Sequence, residues 1–145
     1  METDELIRQL QDLAQADIDT VHAYNRVLDD ISDDILRSRL TVFRDNHLEH
    51  IDAISDAIET LGGEAPDPAK DFKGHVMEAV AALRTTAGGT KSALKALRAV
   101  EEVINRQYEQ IFTQDVSPDL KQVLRKQFSE ENLHLDYINE NLKSL

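Results

Sequence analysis

The stretch Phe43 to Ile54, FRDNHLEHIDAI, decides how this chain folds. Around it apolar residues recur at Leu36, Leu40, Phe43, Ile51, Ile54, Ile58 and Leu61, three and four residues apart, which is the spacing of a buried helix face. His47 falls on that stripe, and His50 lies one turn along beside it. Two imidazoles therefore point together into what is otherwise hydrocarbon. Three more helical stripes flank this one, and each is broken by a ligand-type side chain.

Toward the N-terminus, a helix is expected over about residues 4–30. Thr3 suits its N-cap, and Asp4 and Glu5 suit the positive end of its dipole. Its stripe reads Leu6, Leu10, Leu13, Asp17, Val21, Tyr24, Leu28, Ile31, with Asp17 as the break. A turn around Ser32 to Asp34 offers an oxygen side chain to cap the second helix, over about 34–61. That helix stops at Gly62-Gly63, with Pro66 and Pro68 beyond.

Residues 64–89 form a connection longer than a helix hairpin needs, and Phe72, Val76, Ala79, Val80 and Leu83 mark a short amphipathic helix inside it. A helix of about 24 residues is roughly 36 Å long, a span this connection covers even when partly helical. It reads as a crossover that leaves the second and third helices parallel. The third helix, about 90–112, carries Leu94, Leu97, Glu101, Ile104, Tyr108 and Ile111, with Glu101 as the break. Ser117-Pro118-Asp119 starts the fourth, about 118–143, with serine as N-cap and proline at the first helical position. Glu131 interrupts its line of Leu120, Leu124, Phe128, Leu135, Ile138 and Leu142, and His134 follows on the flank of the same face. The expected fold is an all-α four-helix bundle with a left-handed twist, made of two antiparallel hairpins joined by a long crossover.

Folding each hairpin about its turn sets Asp17 opposite residue 50 and Glu101 opposite residue 130. Asp17 then lies level with His47 and His50, and Glu101 level with Glu131 and His134. The crossover leaves the relative height of the two halves free. Three carboxylates and three imidazoles in a dry layer would each cost several kcal/mol if unpartnered. A divalent metal resolves this, since carboxylate oxygen and neutral imidazole are ligands for iron, manganese or zinc. Two such ions against three carboxylates leave one positive charge, which a bridging hydroxide or oxide would neutralise. A carboxylate plus Glu-x-x-His across bundle helices is a di-metal pattern. Tyr24 and Tyr108 are expected as core aromatics whose hydroxyls bond to the carboxylates.

Composition removes other chemistries. At 145 residues one domain is expected. Cysteine is absent, which excludes thiolate metal sites and cysteine nucleophiles. Sixteen basic against 28 acidic side chains give a net charge of −12, which argues against nucleic acid as a partner. No basic leader precedes an apolar run, and no stretch approaches the roughly 20 apolar residues of a membrane span. A cytoplasmic protein is the default expectation. No glycine-rich phosphate loop and no serine-histidine-acid set supports another enzyme class.

Plainer readings stand beside the metal layer. The histidines can be hydrogen-bonded core residues, and Glu131 can pair with Arg106 or Arg125. Asp19 and His22 lie off the stripe, where a solvated face is expected. Glu49 and Glu102 are turned about 100° from the layer and belong outside it. His75 sits in the crossover without an evident partner. On this reading the chain is a non-catalytic bundle whose polar layer fixes helix register, forming a homodimer or docking a partner helix.

Asp17 to Tyr24, NHLEHI (Asn46 to Ile51), EEVINRQYE (Glu101 to Glu109) and EENLHL (Glu130 to Leu135) together resemble the ferritin-like superfamily. More narrowly the chain resembles the small bacterial ferritin-like domains of the DUF2383 group, over nearly its whole length. The resemblance implies a di-iron site with Glu131 bridging, His134 terminal, Glu101 as the lone carboxylate of the third helix and Asp17 as a shortened first-helix glutamate. It also implies iron oxidation or a redox-stress role, with dioxygen or peroxide as partner. The second helix departs from the pattern: His47 stands where di-iron members carry a bridging glutamate, followed by His50 in the histidine position. A single-metal or zinc site is the alternative that this departure raises.

Overall fold

The computed structural model describes residues 3–68 and 89–145, and helices account for nearly all of them. Four long helices follow in order: α1 Thr3–Val27, α2 Asp34–Thr60, α3 Thr90–Ile111 and α4 Pro118–Lys143. The architecture is an all-α four-helix bundle, with no strand among the described residues. A 3-10 turn, Leu28–Asp30, follows α1, so the end of the expected first helix winds more tightly than an α-helix. The short helix expected between Phe72 and Leu83, and His75 within it, lie outside the described residues.

Local chemistry sets the helix ends. Asp33 caps α2 by accepting from the Leu36 N–H at 2.8 Å. Ser117 caps α4 by accepting from the Leu120 N–H at 3.3 Å, with Pro118 in the first turn. Each such cap stabilises by about 1 kcal/mol. At the far end of α2, Gly62 turns at φ +91°. Its N–H donates to Glu59 O at 3.0 Å and the Gly63 N–H to Ile58 O at 2.9 Å, closing a Schellman motif. A Cβ on Gly63 would stand 2.6 Å from Ile7 Cγ2, so the missing side chain lets the start of α1 press against the end of α2.

α1 packs against α2 and α3, and α4 against α3 and less closely against α2, which leaves α2 and α3 diagonal to one another. Leu36, Leu40 and Phe43 share one apolar cluster with Ala93, Leu97 and Val100. Ile54 and Ile58 share another with Ile104 and Ile111. Hence α2 and α3 advance in the same direction, as the crossover expectation requires. Ala23 and Ile138 belong to the first cluster, Leu10 and Leu124 to the second, so α1 and α4 run the other way. Between the two clusters all four helices present polar side chains. No described helix is long and apolar enough to cross a membrane.

Candidate metal centre

Six side chains meet in that layer: Asp17 from α1, His47 and His50 from α2, Glu101 from α3, and Glu131 and His134 from α4. None is more than 2% exposed. The stripe breaks of the two hairpins thus share one height, which sequence arithmetic left open. They form two four-residue groups, Asp17-His47-His50-Glu131 and His47-Glu101-Glu131-His134.

In the first group His47 Nδ1 is 2.7 Å from Asp17 Oδ1 and 3.2 Å from Glu131 Oε1. His50 Nδ1 is 2.8 Å from Glu131 Oε1 and 3.6 Å from Asp17 Oδ1. In the second, His47 Nε2 is 3.0 Å and His134 Nδ1 3.2 Å from Glu101 Oε2, with His134 Nδ1 3.6 Å from Glu131 Oε2. Donors around one four-coordinate ion stand roughly 3.4 Å apart, given metal–nitrogen lengths of about 2.0–2.1 Å. The spacings observed bracket that value. Glu101 Oε1, Glu131 Oε2 and His134 Nδ1 are buried without an aligned hydrogen-bond partner, the last two 3.6 Å apart within the layer. Buried polar atoms are rarely left so, and carboxylate with imidazole is a donor set suited to a divalent ion. The residues fit a metal.

Residues 5–115 match the family described as "Domain of unknown function (DUF2383)". The chain belongs to the DUF2383 family. The match takes in nearly all of α1 with α2 and α3, hence Asp17, His47, His50 and Glu101; Glu131 and His134 come from α4, beyond the matched residues. No curated protein and no solved structure matches the chain.

The electrostatics of this DUF2383 chain centre on His47. Burial alone would lower its pKa, but the Glu101 charge and hydrogen bonding with Asp17 and Glu101 raise it to about 10. Both ring nitrogens then carry protons, and the imidazolium sits between two carboxylates. Burial works to raise Asp17, and its bonds with His47 and His50 outweigh that and lower it. Burial opposes ionisation of Glu101 too, but the His47 charge, with the His134 and His47 rings against its oxygens, holds it well below the usual range. Glu131 goes the other way, pushed well up by burial and then by the charges of Glu101 and Asp17. That favours a proton on Glu131, whose Oε1 lies 2.8 Å from His50 Nδ1. Burial keeps His134 below its ordinary value.

Outer groups hold the layer in place. The Tyr24 hydroxyl donates to Glu101 Oε2 at 2.5 Å, and the Tyr108 hydroxyl lies 3.1 Å from Asp17 Oδ2. Burial, and next the carboxylate each faces, keeps both phenols well above their usual range and so protonated. Tyr108 also lies 3.0 Å from Gln127 Oε1. One hydroxyl proton serves one acceptor, so the Gln127 amide is better turned to donate through its nitrogen. His134 Nε2 donates to Asn46 Oδ1 at 3.0 Å, and His50 Nε2 to Glu130 Oε1 at 2.7 Å. Asn105 Nδ2 donates to the Glu101 carbonyl at 2.7 Å and lies 3.3 Å from that of Glu131.

Sequence reasoning missed Asn46, Asn105, Gln127 and Glu130. Asn105 and Gln127 stand one helical turn from Glu101 and Glu131, a signal that was readable; Asn46 and Glu130 sit beside layer residues, where no stripe points. Two alternatives are corrected. Arg106 and Arg125 are exposed, while Glu131 faces His47, His50 and His134. Asp19, expected on a solvated face, is 3% exposed and accepts from Gln15 Nε2 at 2.9 Å. α1 is buried well beyond its stripe, Ala16, Ile18 and Thr20 included. Glu49 and Glu102 are exposed, outside the layer.

Proposed function

We propose that this protein is a ferritin-like metal-binding bundle that holds divalent iron in the layer between its two apolar clusters and serves iron oxidation or redox-stress defence in the cytoplasm. The observation that carries the reading is the set of orphaned, fully buried donor atoms on Glu101, Glu131 and His134. Six apolar residues in these positions would each contribute about 1.5–3 kcal/mol by burial. Ligand-type groups forgo that gain and add a desolvation cost, so stability alone does not account for them.

Asp17, His47, His50, Glu101, Glu131 and His134 would hold the metal. Bound iron would supply one-electron chemistry toward dioxygen or peroxide. The chain's own contribution is to fix ligands and exclude water. Tyr24 and Tyr108 hold Glu101 and Asp17 by hydrogen bonds, and Asn46 and Glu130 each fix one nitrogen of a histidine, which leaves the other free for the ion. Elemental analysis after anaerobic reconstitution with ferrous iron tests the reading: iron binds wild type and is lost in Glu131→Ala. Full iron stoichiometry in that variant would overturn the site assignment.

A second reading has one observation in its favour. His47 bonded to both Asp17 and Glu101 forms a closed, charge-paired bridge that could fix helix register without metal. That reading expects no metal in any preparation and a thermal midpoint that chelators leave unmoved.

A further inference from the structure

The three histidines of the layer are not equivalent. His134 and His50 each spend one ring nitrogen on an acceptor outside the two groups, Asn46 and Glu130, and turn only Nδ1 inward. His47 does otherwise. Its Nδ1 faces Asp17 Oδ1 and Glu131 Oε1 in the first group, and its Nε2 faces Glu101 Oε2 in the second. Glu131 is divided in the same way, with Oε1 against His47 and His50 and Oε2 against His134.

We infer that His47 is a bridging ligand, one metal ion on each ring nitrogen, with Asp17, His50 and Glu131 completing the Nδ1 site and Glu101, His134 and Glu131 the Nε2 site. The inference rests on the metal reading above and fixes how many ions the layer takes and how they are joined. Each site has four donors, two of them supplied by the shared side chains His47 and Glu131. A ring bound at both nitrogens carries neither N–H proton; both pass to solvent as the ions enter, as does the proton of Glu131, and the imidazolate keeps one negative charge. Three carboxylates and one imidazolate then balance two divalent cations, and the layer is neutral without any added hydroxide. For a site this dry, neutrality decides between arrangements, since uncompensated buried charge costs several kcal/mol. Ions joined through a ring stand farther apart than the ~3.5–4 Å usual in two-metal sites. The centre would therefore differ from an oxygen-bridged pair in what it can span.

The test uses the full chain, stripped of metal and titrated with zinc(II), which is diamagnetic and redox-inert. Zinc is counted by elemental analysis, and the histidine ring nitrogens and their protons are read by nitrogen-15 NMR. The expected result is two zinc ions per chain, a His47 ring with no N–H proton, and one N–H each on His50 and His134. In His47→Gln, with helix content checked by circular dichroism, zinc should fall below two per chain or at least one site should weaken tenfold or more. One zinc per wild-type chain, an N–H retained on His47, or two unchanged zinc sites in His47→Gln would overturn the bridge and leave the metal centre standing. Failure of wild type to take up either zinc or iron would overturn the metal reading with it. If His47→Gln does not fold, the wild-type spectrum decides alone.

Discussion

His47 Nε2 of α2 stands 3.0 Å from Glu101 Oε2 of α3, although the residues are 54 apart in the chain and their helices lie diagonal in the bundle. With Nδ1 of the same ring 2.7 Å from Asp17 Oδ1, one side chain ties three helices together through the bundle axis. In the metal-free protein that ring is the cation that balances two buried anions.

Replacing His47 by leucine in the metal-free protein should therefore cost about 3–5 kcal/mol, because Asp17 and Glu101 keep their charge and lose its partner. Urea unfolding after exhaustive chelation measures it. The pKa of His47 is raised from 6.5 to about 10, so its contribution is fully present below pH 6.5 and is lost as pH rises through about 10. The gap between wild type and variant should narrow over that alkaline window. A gap that stays constant up to pH 10 would contradict the charge assignment.

Metal uptake should release protons. His47 is an imidazolium at neutral pH with its pKa near 10, and a metal on either nitrogen needs the lone pair. Glu131, raised by burial, gives up a further proton when it becomes a ligand. The apparent zinc affinity should rise by about tenfold per pH unit for each proton released. Calorimetry in buffers of differing ionisation enthalpy counts those protons; zero release would contradict the protonation pattern.

Asn46→Ala should weaken metal binding by roughly 10–100-fold without unfolding the bundle, because His134 loses the acceptor that fixes its Nε2–H and orients Nδ1. Asn46→Asp supplies an acceptor again and should restore most of the affinity. Competition with a chromogenic chelator reads both variants, and equal affinity in Asn46→Ala and wild type would remove Asn46 from the centre.

Gly63→Ala should destabilise by about 1–3 kcal/mol, the usual range for overpacking, since its Cβ would stand 2.6 Å from Ile7 Cγ2 and 3.0 Å from Ile58 Cγ2. Adding Ile7→Ala should recover part of that loss. Thermal melts of the two variants separate steric conflict from backbone effects, because only the former is relieved by trimming Ile7.

Much of this was legible because helical stripes are long and regular. Leu6 to Tyr24 and Leu94 to Ile111 show their faces over several turns, so a single Asp17 or Glu101 stands out against them. Caps at Asp33 and Ser117 are local chemistry and readable for that reason. Relative height of the hairpins was not readable, since nothing in the sequence of residues 64–89 measures it; the packing of Leu36 to Phe43 against Ala93 to Val100, and of Ile54 and Ile58 against Ile104 and Ile111, fixes it. Asn46 and Glu130 escaped because they act sideways across the α2–α4 contact, where partners come from a helix remote in sequence. The burial of Asp19 escaped for a related reason: a stripe says which face is inside, not how far the cover extends.

The two larger apolar clusters share the same four helices and are separated by the polar waist, beside which Ile18, Val21 and Ile51 form a small third cluster between α1 and α2. Across the centre of the bundle, motion at one end is thus communicated to the other largely through charged groups. A waist held rigid by bound ions would make the halves melt as one unit. A waist relying on a single imidazolium would let each half breathe on its own, and amide exchange would then fall into two kinetic classes divided near Asp17, His47, Glu101 and Glu131. The ligands would then act as a clutch, engaging the mechanical coupling between the two ends when they are loaded.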